Sequence, residues 1–282
     1  MYISKKNHGN EHLMNTLSHD NHSPLLEFRN VTIIAGKKKV LDNISVTIHD
    51  GEHIAILGPN GAGKSSFVRT INREYYPAVQ DDNDVVFRMR GREVWNVWDL
   101  RALFGIVSNE LLFNFTREIS GREVILSGFF SSVGLFHNEV TTMMEEKTDA
   151  ILQFLEIDHL QQRPMTSLSS GEARRFLIGR ALVHDPKTLI LDEPTNSLDL
   201  HSLHTFRLML RKIAKSGTGI ILVTHNLHDI IPEIKRVILM KDGRFWKDGQ
   251  KTDLLTDDDL MELFRVPVHV FRQGGYYYAT GY

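Results

Sequence analysis

Nine residues, "GPNGAGKSS" (Gly58–Ser66), hold three glycines, a lysine and two serines directly after the apolar run "HIAILG". Glycine permits positive φ and close backbone approach, so successive N–H groups here can converge on phosphate oxygens. The spacing fits G-x-x-x-x-G-K-[ST], with a strand pattern before it and a helical pattern, "SSFVRTINREYY", after it. Pro77 is expected to end that helix. A helix N-terminus adds unpaired donors and a partial positive charge. Lys64 brings a full charge toward the β- and γ-phosphates of a nucleotide, and Ser65 offers a hydroxyl to Mg²⁺. The candidate nucleotide-binding set is therefore Gly58, Pro59, Asn60, Gly61, Ala62, Gly63, Lys64, Ser65 and Ser66. A Gly-rich turn matches this pattern by accident in on the order of one chain in a hundred of this length.

Two further segments end apolar runs in chemistry-bearing side chains. "TLILDEPT" puts Asp192 and Glu193 at the carboxyl end of a buried strand, where open α/β sheets bind ligands. Asp192 is the candidate partner of Ser65 around Mg²⁺, and Glu193 the candidate base for the water that attacks the γ-phosphate. Taken alone, the pair also reads as an acidic turn capping a helix. "GIILVTHN" ends a similar run with His225, which as a lone histidine reads most simply as a hydrogen-bonded structural residue. On the same rim of the sheet it becomes a candidate catalytic partner of Glu193 or of the γ-phosphate.

"LSSGEARRFLIGRALVHDP" carries an S-x-x-E capping box, Ser169 and Glu172, ahead of an apolar helical pattern. A well-capped helix is all that local reasoning requires. Gly171 beside Ser169 and Ser170 also makes a second donor-rich helix start, suited to another anion.

Positioning these groups requires a sheet. The runs "LLEFRNVTI", "ISVTI", "HIAILG", "VVFRM", "FGIVS", "TLILD", "GIILVTH" and "RVILM" read as strands, several of them buried on both faces as in a parallel sheet. Helical patterns lie between later strands, as in "EARRFLIGRALVH" and "LHTFRLMLRKIAK", which implies an α/β fold with right-handed crossovers. Residues 110–187 read mostly as helix and are expected to form a helical insertion. From residue 241, "KDGRFWKDG" holds two Asp-Gly pairs that predict hairpin turns, and the chain ends in the aromatic tail "GGYYYATGY".

The 282 residues are 41% hydrophobic and 24% charged, enough for one or two domains with a sizeable core. A net charge of −2 gives no basic bulk to suggest nucleic acid. Cysteine is absent, which excludes disulfides and thiolate metal sites. No apolar run approaches the ~20 residues that span a bilayer. The chain is read as soluble and cytosolic. Residues 1–24 carry four histidines (His8, His12, His19, His22) at spacings that fit no helix face or metal site, and are expected to be a disordered polar lead-in.

The ordered set "GPNGAGKSS", "LSSGE", "LILDEP", "SLD" (Ser197–Asp199) and "THN" resembles the ATP-binding cassette (ABC) ATPases from about residue 25 to residue 250. The resemblance implies a P-loop NTPase core with a mostly parallel sheet, an antiparallel β subdomain and an inserted helical subdomain, followed by a C-terminal extension (251–282) packed on the core. In that family two cassettes pack head to tail, with each Mg-ATP between one phosphate loop and the partner's signature motif. Ser169, Ser170, Gly171 and Glu172 would form that motif in trans, and Asp199 would couple the two sites. A monomer is then expected to hydrolyse ATP poorly. "TREISGREVILSGFFSSVGLF" and "DDDLMELFRVPVHVF" resemble cassettes of metal-chelate and molybdate-type importers, which drive a permease on a separate chain from the inner face of the membrane.

Two positions depart from the family pattern. Where an aromatic residue usually stacks on adenine, "VTIIAGKKK" aligns Ala35, and weak discrimination between ATP and GTP follows. Where a glutamine usually reaches Mg²⁺, "FGIVSNEL" aligns Asn109, one methylene shorter. A soluble ABC-type ATPase acting on a non-membrane partner is the alternative. A small-molecule kinase is disfavoured, because it gains nothing from "LSSGE" followed by "LILDEP".

Overall fold

A computed structural model describes residues 23–78, 84–108, 111, 115, 118–135 and 138–281. The histidine-bearing lead-in (1–22) and Asn109 lie outside the described residues. Ser23 and Pro24, assigned to that lead-in, are instead packed at the start of the core: the Arg90 backbone N–H donates to the Pro24 carbonyl, 3.1 Å away.

The strands follow the buried runs. β1 (Leu26–Ala35) and β2 (Lys38–Ile48) form an antiparallel pair, and β4 (Val86–Met89) adds to β1, giving the sheet order β2-β1-β4. The main sheet has six strands in the order β5-β6-β7-β3-β8-β9. These are β3 (His53–Leu57), β5 (Phe104–Ser108), β6 (Thr188–Asp192), β7 (Gly219–Thr224), β8 (Arg236–Lys241) and β9 (Arg244–Gln250). All its pairings are parallel except β8–β9.

Alternation along the central strands assigns each side chain to one of two cores. Ile54, Ile56, Ile190, Ile221, Val223, Ile238 and Met240 join the antiparallel sheet and α1 (Lys64–Ile71). Ala55, Leu57, Leu189, Leu191, Ile220, Leu222, Val237 and Leu239 join the helices on the opposite face. Both faces of these strands are buried, which explains why their sequences read as continuous apolar runs.

Between β5 and β6 lie the helices of the insertion. α2 (Val97–Leu103) precedes β5, whereas α3 (Gly121–Phe130), α4 (Thr142–Phe154) and α5 (Ser170–Leu182) follow it. α3 opens with a capping box, Ser120 with Glu123. After β6 comes α6 (Leu200–Lys215), and after β9 the short α7 (Lys251–Leu254), α8 (Asp257–Phe264) and the hairpin β10 (His269–Gln273) and β11 (Tyr276–Thr280). Leu255, Leu260, Leu263, Val268 and Tyr277 of this C-terminal part are buried in the same core as the parallel strands.

Two local expectations are corrected. α1 ends at Ile71, well before Pro77, because Arg73 takes a left-handed φ of 61° and its guanidinium lies 3.9 Å from the centroid of the Phe87 ring. The second Asp-Gly pair makes no turn. Asp242–Gly243 closes β8 onto β9 with both φ values positive, but Asp248 and Gly249 continue β9, where Asp248 pairs with Arg236 at 2.7 Å across the strands.

Candidate functional site

The phosphate loop lies between the end of β3 and the start of α1. Gly63, at the N-cap of α1, has φ 106°, and a Cβ there would lie 2.7 Å from the Val40 carbonyl oxygen. Only glycine satisfies both conditions. Lys64 is 4% exposed, and its ammonium donates to the carbonyls of Gly58 (2.9 Å) and Pro59 (3.0 Å). It also pairs with Glu193 Oε1 at 3.2 Å. The charge is held where a loop-bound anion would sit and is balanced by a carboxylate from the end of β6, two strands away in the sheet.

Glu193 follows the last residue of β6 with a left-handed φ of 50°, a conformation uncommon for a non-glycine residue. Its backbone N–H donates to the Val223 carbonyl of β7 at 2.8 Å, which fixes the turn to the sheet. Asn196 Nδ2 donates to Glu193 Oε2 at 2.8 Å, and His225 Nδ1 lies 3.3 Å from Oε1. Burial pushes the Glu193 carboxyl up, but the Asn196 hydrogen bond, the Lys64 charge and His225 outweigh it and hold the group below the usual carboxylate value. Glu193 is thus an anion, as a base must be before it accepts a proton.

His225 follows β7. The wholly buried Thr224 anchors its loop, donating its hydroxyl to Asp229 and accepting the Asn226 N–H at 3.0 Å. The parallel β5–β6 register pairs Ser108 with Asp192. Both line one cavity with Ser65, Arg69, Asn72 and Glu193. Asn109, the next residue, falls outside the described residues.

The signature residues stand apart. Ser169 caps α5 in a reciprocal box: its N–H donates to Glu172 Oε2 (2.7 Å), and its Oγ accepts the Glu172 N–H (3.2 Å). That first bond holds Glu172 below its usual range. Ser169 and Ser170 are exposed, whereas Gly171 is packed so closely that an added Cβ would lie 2.9 Å from Ser202 Cβ. Asp199 caps α6 by accepting the Ser202 N–H at 2.7 Å. The signature turn and the start of α6 therefore meet at Ser202. Neither cavity beside the phosphate loop is lined by residues 169–172.

A second cleft beside the loop, about 440 Å³, is lined by Lys38, Lys39, Val40, Asp242 and Gly243 together with residues of the loop and Glu193. Ala35 ends β1 opposite Lys38. Sequence reasoning missed three of these contributors. Asn196 stands three residues after Glu193, and that spacing was its signal. Lys38 and Asp242 are about 200 residues apart, and nothing local links them.

A phosphate cradle on a strand–loop–helix turn, backed by a carboxylate anion and an imidazole on adjacent strand ends, defines a P-loop nucleotide hydrolase. The ABC transporter family matches residues 41–196, more than half of the chain, and the chain belongs to that family as an ATPase cassette. It is similar to the hemin import ATP-binding protein HmuV of Bradyrhizobium diazoefficiens, 29% identical over 91% of this chain and 94% of that protein. It is 30% identical to the Nod factor export ATP-binding protein I of Sinorhizobium fredii over 93% of this chain and 74% of that one. Among solved structures, a putative metal-chelate type ABC transporter superposes with a TM-score of 0.72 at 21% identity, covering 91% of this chain and 96% of that one. A dimeric post-hydrolysis cassette bound to ADP and Pi superposes with a TM-score of 0.65 at 22% identity, covering 80% and 98%.

Proposed function

We propose that the chain is the ATP-hydrolysing subunit of an importer-type ABC transporter, driving a membrane permease carried on another chain by closing head to tail on ATP with a second cassette. The observation that carries this reading is the division of the functional groups. Lys64, Glu193, Asn196 and His225 are gathered in one place, while the exposed Ser169–Ser170 turn lines neither cavity beside the phosphate loop. Two copies can join unlike halves twice, as C2 symmetry allows.

In this reading the loop N–H groups and Lys64 grip the β- and γ-phosphates. Glu193 accepts a proton from the attacking water as the bond from the γ-phosphorus to its bridging oxygen breaks, and ADP leaves. His225 steadies Glu193 or the γ-phosphate. Asp199 and Glu172 hold the two helix starts in place.

Ser65 and Asp192 supply the hydroxyl and carboxylate oxygens that suit Mg²⁺, a hard cation that keeps waters and substrate phosphates as its other ligands. Among the described residues no group of three or more His, Cys, Asp or Glu is gathered to hold a metal. When bound, Mg²⁺ would neutralise charge developing on the β- and γ-oxygens.

The importer reading is supported by the HmuV relative, which is matched along nearly its whole length, whereas the Nod factor export relative is matched over 74% of its own. Among the described residues no helix is long and apolar enough to cross a membrane. Affinity purification of the tagged chain from solubilised membranes tests the reading. An integral membrane protein co-purifying in stoichiometric amount supports it. Recovery with soluble partners alone favours the soluble-ATPase alternative.

A further inference from the structure

We propose that the base of the bound nucleotide is read by Lys38 and Asp242, and that the site accepts guanine at least as well as adenine. This rests on the phosphate loop holding a triphosphate. Beyond the loop residues and Glu193, the 440 Å³ cleft is lined by Lys38, Lys39 and Val40 and by Asp242 and Gly243, with Gly243 packed against the Val40 carbonyl. None of its lining residues is aromatic.

The walls are fixed relative to the loop. The Gly243 N–H donates to the Ala62 carbonyl at 2.9 Å, and the Asp42 N–H donates to the Gly243 carbonyl at 2.9 Å. Lys39 is pinned, its ammonium 2.9 Å from Asp42 Oδ1, while Asp42 also accepts from Arg244 Nε at 2.7 Å. Its charge is answered there, so what it offers the cleft is an aliphatic stem beside Val40. The Lys38 backbone pairs with Ala35 in the β1–β2 ladder, and its ammonium has no ion-pair or hydrogen-bond partner among the described residues. Asp242 meets Arg265 at 3.4 Å, with the two side chains 75% and 73% exposed, a pair weak enough to exchange for a ligand.

The pairing of these two groups suits one base edge better than others. A carboxylate only accepts hydrogen bonds, and an ammonium only donates them. Guanine presents an acceptor, O6, followed by two adjacent donors, N1–H and the 2-amino group. That order complements Lys38 and then Asp242, with the carboxylate engaged at both oxygens. Adenine offers a single donor there, its 6-amino group beside an acceptor nitrogen. A good bidentate pair discriminates by roughly 1–3 kcal/mol, about 5- to 150-fold.

Calorimetric titration of the full chain with Mg²⁺ and ATP, GTP, ITP or inorganic tripolyphosphate tests this. Asp242→Gly suits the left-handed turn (φ 50°), and Asp242→Asn keeps its shape without the charge. We expect wild-type GTP affinity to equal or exceed that for ATP, with ITP, which lacks the 2-amino group, weaker than GTP. Either variant should weaken GTP about tenfold, move ATP less, and leave tripolyphosphate unchanged. A GTP affinity unmoved in both variants, or a wild-type preference for ATP of tenfold or more, overturns the base assignment while leaving the phosphate loop standing. Absence of binding by every triphosphate, tripolyphosphate included, overturns the nucleotide reading beneath it.

Discussion

Two serine- and glycine-bearing helix starts, at residues 63–66 and 169–172, look alike in sequence and differ in every physical respect. The first is closed inward: its lysine is buried, its charge shared with Gly58, Pro59 and Glu193. The second is finished by its own capping box, with two serines facing out and a glycine pressed against α6. The first is a cradle waiting for an anion it can hold alone. The second is a stable helix end, its Ser170 hydroxyl donating to the Ser197 carbonyl at 3.4 Å, with both serines exposed. In the proposed function the same local chemistry serves binding in one place and recognition of a second copy in the other.

Removing the carboxylate at the inward site should have the largest effect. Glu193→Gln keeps the shape and the Asn196 contact but cannot take a proton, so steady-state hydrolysis is expected to fall about 10²–10⁴-fold with nucleotide affinity retained. Lys64→Ala removes a full charge from the phosphate end; unit charges 4 Å apart near a surface interact by about 4 kcal/mol, and nucleotide affinity should fall by roughly 10³. Affinity within a few-fold of wild type would remove Lys64 from the cradle.

A smaller change separates the two helix starts. Ser170→Arg puts a bulky cation on the exposed turn, and hydrolysis should drop at least about tenfold, since a misplacement near the chemistry costs up to ~10². Monomer affinity for ATP should stay unchanged. Equal loss of both would mean that the turn serves its own subunit.

The smallest effect concerns Asn196. Its hydrogen bond helps hold Glu193 below the usual carboxylate value, so Asn196→Ala should raise that pKa and move the acid limb of the pH–rate profile to higher pH. The lowered pKa contributes stability that is present above the unfolded value and lost as pH falls through the folded one. The variant's acid unfolding should be shallower accordingly. Profiles that superpose would remove Asn196 as a positioning residue.

Much of this was legible in the sequence, for reasons the fold makes clear. All eight β-rich runs are strands: the central parallel ones are buried on both faces, which leaves no polar alternation to obscure them, whereas β2 and β4 alternate buried and exposed residues. Lys64, Asp192, Glu193 and His225 stand at loop and strand ends that their neighbours in sequence announce. Long-range contacts stayed hidden. Arg73 on Phe87 ends α1 early, Arg236 on Asp248 straightens an apparent turn, and Lys38 meets the cleft that Asp242 borders only after β1, β2 and β8 have assembled.

The central claim, that ATP closes two copies across unlike surfaces, is tested most directly by sedimentation of Glu193→Gln with saturating ATP and Mg²⁺. The account expects a dimer that forms with ATP, is absent with ADP, and is abolished by adding Ser170→Arg. A monomer under all three conditions, with ATP demonstrably bound, would contradict it.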